Sequence, residues 1–167
     1  MRLFIAVEIP EHISSELRKI QESIKQDGIK LVKQFHLTLK FLGEIKEENL
    51  AKIKSDLEKI DFEPFEATLN GLGVFPNIRH INSIWIGLEP EVKIIELAKK
   101  IDPQEKRFKA HITLGRVKFM KNKPEFVEKL NKINVPKTSF KVDRIKLIKS
   151  TLTKLGPIYE TLFEKPL

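Results

Sequence analysis

Two tetrapeptides are written in the same frame half a chain apart: HLTL at residues 36–39 and HITL at residues 111–114. Each sits at the same place in a recurring series of elements. In the first half, LFIAVEI (3–9) is rich in β-forming residues and stops at Pro10. Ile13, Leu17, Ile20 and Ile24 then recur at helical spacing as far as Asp27-Gly28. QFHLTLKFLG predicts a strand, and EENLAKIKSDLEKI predicts a helix striped by Leu50, Ile53, Leu57 and Ile60. PFEATLNGLGVF predicts a third extended segment. The second half repeats the order. INSIWIGL (81–88) is a strand ended by Glu89-Pro90, VKIIELAKKI a helix, RFKAHITLGRVKF a strand, PEFVEKLNKI a helix with Pro124 in its first turn, and SFKVDRIKLIKSTL a closing strand.

A repeat this long is an internal duplication, not a solenoid period. It predicts an α+β fold: two pseudo-symmetric lobes, each a small, mainly antiparallel sheet with helices on its outer face, and a groove between the sheets. One bilobal domain would span 1–167, with the lobes at about 1–78 and 79–167 and the boundary in PNIRHIN. The tail TLTKLGPIYETLFEKPL has no counterpart in the first half and is expected to cap a sheet or the cleft. The GLG at 71–73 lacks the third glycine and the strand-to-helix setting of a dinucleotide site, so it predicts a bend or bulge.

Side chains along a strand alternate between faces. His36 and Thr38 therefore share one face and Leu37 and Leu39 the other; His111 and Thr113 are likewise backed by Ile112 and Leu114. Continued alternation puts Lys40 with His36 and Thr38, and Arg107 and Lys109 with His111. A groove holding two imidazoles, two hydroxyls and cations suits a phosphodiester. Hydroxyls donate to non-bridging oxygens, cations stabilise charge on phosphorus, and imidazoles titrate where one can act as acid and the other as base. A lone strand histidine is ordinarily structural or solvated, and threonine is an ordinary strand residue. The signal is the pairing of two His-x-Thr units in a chain with only 4 histidines.

Composition narrows the chemistry further. Without cysteine there is no disulfide, catalytic thiolate or thiolate metal site. Lys+Arg 31 against Asp+Glu 23 gives +8, which fits a polyanionic partner as well as a lysine-rich soluble surface. No apolar run nears the roughly 20 residues that span a bilayer, and the first apolar run is too short for a secretory signal, so a cytoplasmic protein is expected.

These residues resemble the two-histidine (2H) phosphoesterases, and within them the RNA 2′,3′-cyclic phosphodiesterases, historically called 2′-5′ RNA ligases. The likeness runs through LFIAVEIP, HLTLKFLGE, GVFPNIR with IWIGL, RFKAHITLGRV and STLTKLGPIYE. Ala110 stands where that family favours proline before the second histidine. The resemblance implies hydrolysis of RNA 2′,3′-cyclic phosphate ends to 2′-phosphomonoesters without a metal; no cofactor and no obligate protein partner is expected, and hence a monomer. His36 would be the proton donor to the leaving 3′ oxygen and His111 the proton acceptor from water, with Thr38 and Thr113 on the phosphate. Lys40, Arg79, Arg107, Lys109 and Tyr159 are the further candidate RNA contacts. The acid and base roles come from the resemblance alone. Rival readings are 2′-5′ ligation by the reverse step, a non-catalytic RNA-binding module, and a metallophosphatase, the last poorly served by motifs without carboxylates. Phe75, Trp85 and Tyr159 are aromatics able to stack on a base, although Trp85, between Ile84 and Ile86, reads as core. His12, at a helix start, and His80, near the lobe junction, read as surface and loop residues.

Overall fold

The computed structural model describes all 167 residues. Strands β1 (Arg2–Glu8), β2 (Ile29–Leu31), β3 (His36–Glu44), β4 (Phe65–Asn77), β5 (His80–Glu89), β6 (His111–Val117), β7 (Ser139–Val142), β8 (Arg144–Thr153) and β9 (Gly156–Pro166) alternate with helices α1 (Glu11–Ile24), α2 (Leu50–Glu58), α3 (Glu91–Ile101) and α4 (Lys123–Lys132). The helices form where the apolar stripes demand them. Ile13, Leu17, Ile20 and Ile24 of α1 are buried, as are Ile94, Leu97 and Ala98 of α3. Helix α4 starts at Asn122, whose side chain accepts from the Glu125 amide, and Pro124 occupies its first turn.

The α+β class and the two antiparallel half-sheets follow the sequence reading. The half-sheets, however, join edge to edge. One antiparallel sheet runs β7-β4-β5-β6-β3-β1-β8-β9, with β2 on β6, and its central seam is the single residue pair Leu37–Ile112 between β3 and β6. About this seam the order is symmetric, and a late strand of each half joins the other. β4 lies against β5, and β8 lies against β1. The strands on one side of the seam therefore come from residues 65–142, joined by β2, and those on the other side from both ends of the chain. The PNIRHIN segment is instead the β4–β5 hairpin turn, in which Asn77 Oδ1 accepts from the amides of Arg79 and His80.

The expected closing strand divides at Asp143 into β7 and β8, which stand near opposite ends of the strand order. A single residue spans only about 3.8 Å, so the sheet curls until those strands nearly meet. The tail becomes β9, capping the edge beside β8, and the Leu167 amide donates to the Asp143 carbonyl. The GLG segment does form a bulge, between Leu69 and Leu72 opposite Gly87.

One face of the sheet carries the core: Leu3, Ile5 and Val7 of β1, Leu37 and Leu39 of β3, Ile112 and Leu114 of β6, Ile145 and Leu147 of β8, all packed with the helices. The helices also cross the seam. Gln21 of α1 donates from Nε2 to the carbonyls of Val32 and Leu114 at 2.9 Å each, and Lys40 of β3 bonds Asp102 just past α3. The opposite face is left to the motifs. No helix is long and apolar enough to cross a membrane.

Candidate active site

With Leu37 opposite Ile112 and both facing the core, His36 and Thr38 stand on the other face across from Thr113 and His111. All four are half-buried. The strict alternation ends one residue later. Ala6 pairs with Thr38 but Ile5 pairs with Lys40, so Leu39 is a bulged residue. Trp85 pairs with Thr113 but Ile84 with Gly115, so Leu114 is its symmetric counterpart. The Leu114 carbonyl at this bulge accepts from the Val32 amide as well as from Gln21.

These paired bulges correct the placement of Lys40. It is turned to the face of Ile5, where its ammonium bonds Asp102 beside the core, not alongside His36. Phe41 and Arg116 take the exposed face instead, each five residues after a motif histidine, and Phe41 is 66% exposed. Alternation read from the sequence misses both, because a bulge after a motif leaves no mark in the order of apolar residues.

Strand β6 begins only at His111, so the alternation does not reach Arg107, which sits in the preceding loop with its amide bonded to Glu105. Lys109 contributes its carbonyl oxygen to the Nδ1–H of His111 at 2.6 Å. Its ammonium pairs with Glu91 and lies 5.6 Å from the Trp85 ring centre. Arg79 is at the β4–β5 turn beside α4, where its carbonyl accepts from Lys123. His12 Nε2 meets the Ser139 carbonyl and His80 is exposed on β5. Trp85 is not a core residue: it is half-buried, on the motif face.

Each imidazole is held edge-on by two aromatic rings. His36 has Phe4 at 5.5 Å and Tyr159 at 4.9 Å between ring centres. His111 has Phe75 at 4.9 Å and Trp85 at 6.1 Å. Such packing limits the rings' orientations. Burial lowers the pKa of both below the ordinary 6.5. At His36 the Glu8 carboxylate opposes this and Lys146 reinforces it. At His111 the bond to the Lys109 carbonyl opposes it, and Arg116 and Lys109 reinforce it. That bond also fixes the neutral tautomer: Nδ1 carries the proton, and Nε2 is left with a lone pair. Neither nitrogen of His36 has a protein partner. Tyr159 is pushed above its ordinary range by burial. No group of three or more His, Asp or Glu side chains is arranged to hold a metal ion.

A duplicated strand that presents two imidazoles and two hydroxyls on one face defines a two-histidine phosphoesterase architecture. The sequence comparison agrees, since the family described as LigT like phosphoesterase matches twice, over residues 7–85 and 86–159, once per motif. The chain belongs to this family. An RNA 2′,3′-cyclic phosphodiesterase of Methanocaldococcus jannaschii is 41% identical, over 98% of this chain and 99% of its own length. One from Archaeoglobus fulgidus is 35% identical, over 97% and 98%. The crystal structure of TT0787 of Thermus thermophilus superposes with a TM-score of 0.80 at 31% identity, covering all of this chain and 98% of that one.

Proposed function

We propose that this chain hydrolyses RNA ends bearing a 2′,3′-cyclic phosphate to 2′-phosphomonoesters, by acid–base catalysis between His36 and His111. Water attacks phosphorus while His111 Nε2 takes its proton. The bond from phosphorus to O3′ breaks, and His36 delivers a proton to O3′, which leaves the phosphate on O2′. Thr38 and Thr113 donate to the non-bridging oxygens, and Arg116 and Tyr159 line the same face. Each proton transfer contributes on the order of 10²–10⁴-fold.

The observation that carries this reading is the Leu37–Ile112 register, which sets a His and a Thr from each half across one seam. The His111 tautomer supports the division of labour, because a lone pair on Nε2 is what a base requires. The names of the relatives supply the substrate class.

The test is to incubate an RNA oligomer ending in a 2′,3′-cyclic phosphate with the protein in EDTA and follow the product by phosphorus NMR. A 2′-phosphomonoester formed at an undiminished rate is expected. A 3′-phosphate product, turnover lost to EDTA, or binding without turnover would each count against it.

A further inference from the structure

The duplication makes the two histidines near-equivalents, but one pair of positions breaks the symmetry. The β1–β3 register sets Glu8 directly opposite His36. The corresponding β5–β6 register sets Gly87 opposite His111. Glu8 and Gly87 each lie two residues along from the partner of a motif threonine, Ala6 and Trp85 respectively, and so share the imidazole face. Directly opposed residues on one face have Cβ atoms about 4.5–5.5 Å apart. A carboxylate therefore faces the first imidazole, and no side chain at all faces the second.

Glu8 is held in turn by an ion pair with Lys146 of β8, which pairs with Ala6 on the same face. Lys146 is 14% exposed, so its cation stays close to the carboxylate, while Glu8 is 62% exposed. The other groups against His36 are Phe4 of β1 and Tyr159 of β9, with Arg116 of β6 acting on Tyr159. The charges around His111 are both cationic, Arg116 and Lys109, and Lys109 is itself paired with Glu91 of α3.

We infer that Glu8 is the positioning residue that makes the two histidines unequal, its carboxylate favouring the protonated form of His36 while the bare Gly87 gives His111 no such partner. The labels acid and base rest on the function proposed above; the inequality in proton affinity does not. Of the two charges acting on His36, Glu8 has the larger effect and raises its pKa, and Lys146 cancels part of it.

The experiment is a pH titration of the imidazole resonances by NMR in the full chain. Glu8→Gln is expected to lower the His36 midpoint by on the order of half a pH unit or more. Lys146→Met is expected to raise it, Glu8→Asp to leave it near wild type, and His111 to stay in place throughout. In turnover on cyclic-phosphate RNA, the alkaline limb moves down in Glu8→Gln and up in Lys146→Met, with the acid limb unmoved. An unchanged His36 midpoint in Glu8→Gln, shifts of the same sign in both variants, or equal movement at His111 would overturn the inference. A shift as expected in a protein without turnover would sink the proposed reaction and leave the inequality standing.

Discussion

Gly73 lies under the single tryptophan, and replacing it with alanine should misplace His111 from a distance. A Cβ built on Gly73 would lie 2.2 Å from Trp85 Cζ2, 2.4 Å from Cη2 and 2.7 Å from Cε2. Ordinary contact begins at 3.4 Å, so the indole has to retreat by roughly 1.2 Å. Its Nε1 has no hydrogen-bond partner, so packing and the Lys109 cation over its face set the ring's place. The neighbours it would move are Phe75, at 5.0 Å between ring centres, and His111 at 6.1 Å. Overpacking of this kind costs about 1–3 kcal/mol. At roughly 2–4 °C per kcal/mol for a chain of this size, the melting temperature should fall by about 2–12 °C. A displacement near 1 Å at a reacting group can cost on the order of 10²-fold in rate. Gly71→Ala is the control, because nothing lies within 4 Å of a Cβ there. The assay combines a thermal melt, turnover, and fluorescence, which reports Trp85 alone because it is the only tryptophan. If Gly73→Ala keeps wild-type emission, melting and rate, or if Gly71→Ala is equally damaging, then Trp85 does not hold His111 in place.

Two further outcomes concern stability. Gln21→Leu removes both bonds to the seam carbonyls of Val32 and Leu114. It should cost about 1–3 kcal/mol, seen as a lowered urea midpoint; an unchanged midpoint would show that the bulge needs no such support. Both motif histidines have folded pKa values below the ordinary 6.5. The unfolded chain therefore takes up protons first as pH falls, so their contribution is complete above 6.5 and is lost as pH drops through the folded values. Melting temperatures at pH 7.5 and 5 should thus diverge less in His36→Ala/His111→Ala than in wild type, and an equal divergence would contradict the burial argument.

Local order is easy to read because it depends on short-range patterns. Ile13, Leu17, Ile20 and Ile24 announce α1, and the alternation in HLTL and HITL announces which side chains share a face. What is not legible depends on pairing between distant strands. The exchange of β4 and β8 between halves follows from which edge each strand finds after a helix, and Ile84 or Leu147 reads the same in either arrangement. The bulges at Leu39 and Leu114 need a partner strand with one residue fewer. For that reason alternation alone puts Lys40 on the wrong face and overlooks Phe41 and Arg116. Trp85 misleads for a different cause: its neighbours Ile84 and Ile86 are core, but alternation puts the residue between them on the opposite face. Tyr159 is legible only as an aromatic able to stack, and its place beside His36 is not, since β9 has no copy in the first half.

The central claim is that two imidazoles work on one phosphate, and single-turnover rates of purified His36→Ala and His111→Ala on cyclic-phosphate RNA test it most directly. Each variant should fold and bind RNA yet lose at least about 100-fold in rate, and the double variant should lose far less than the product of the two losses. A rate above about a tenth of wild type in either single variant would contradict the account.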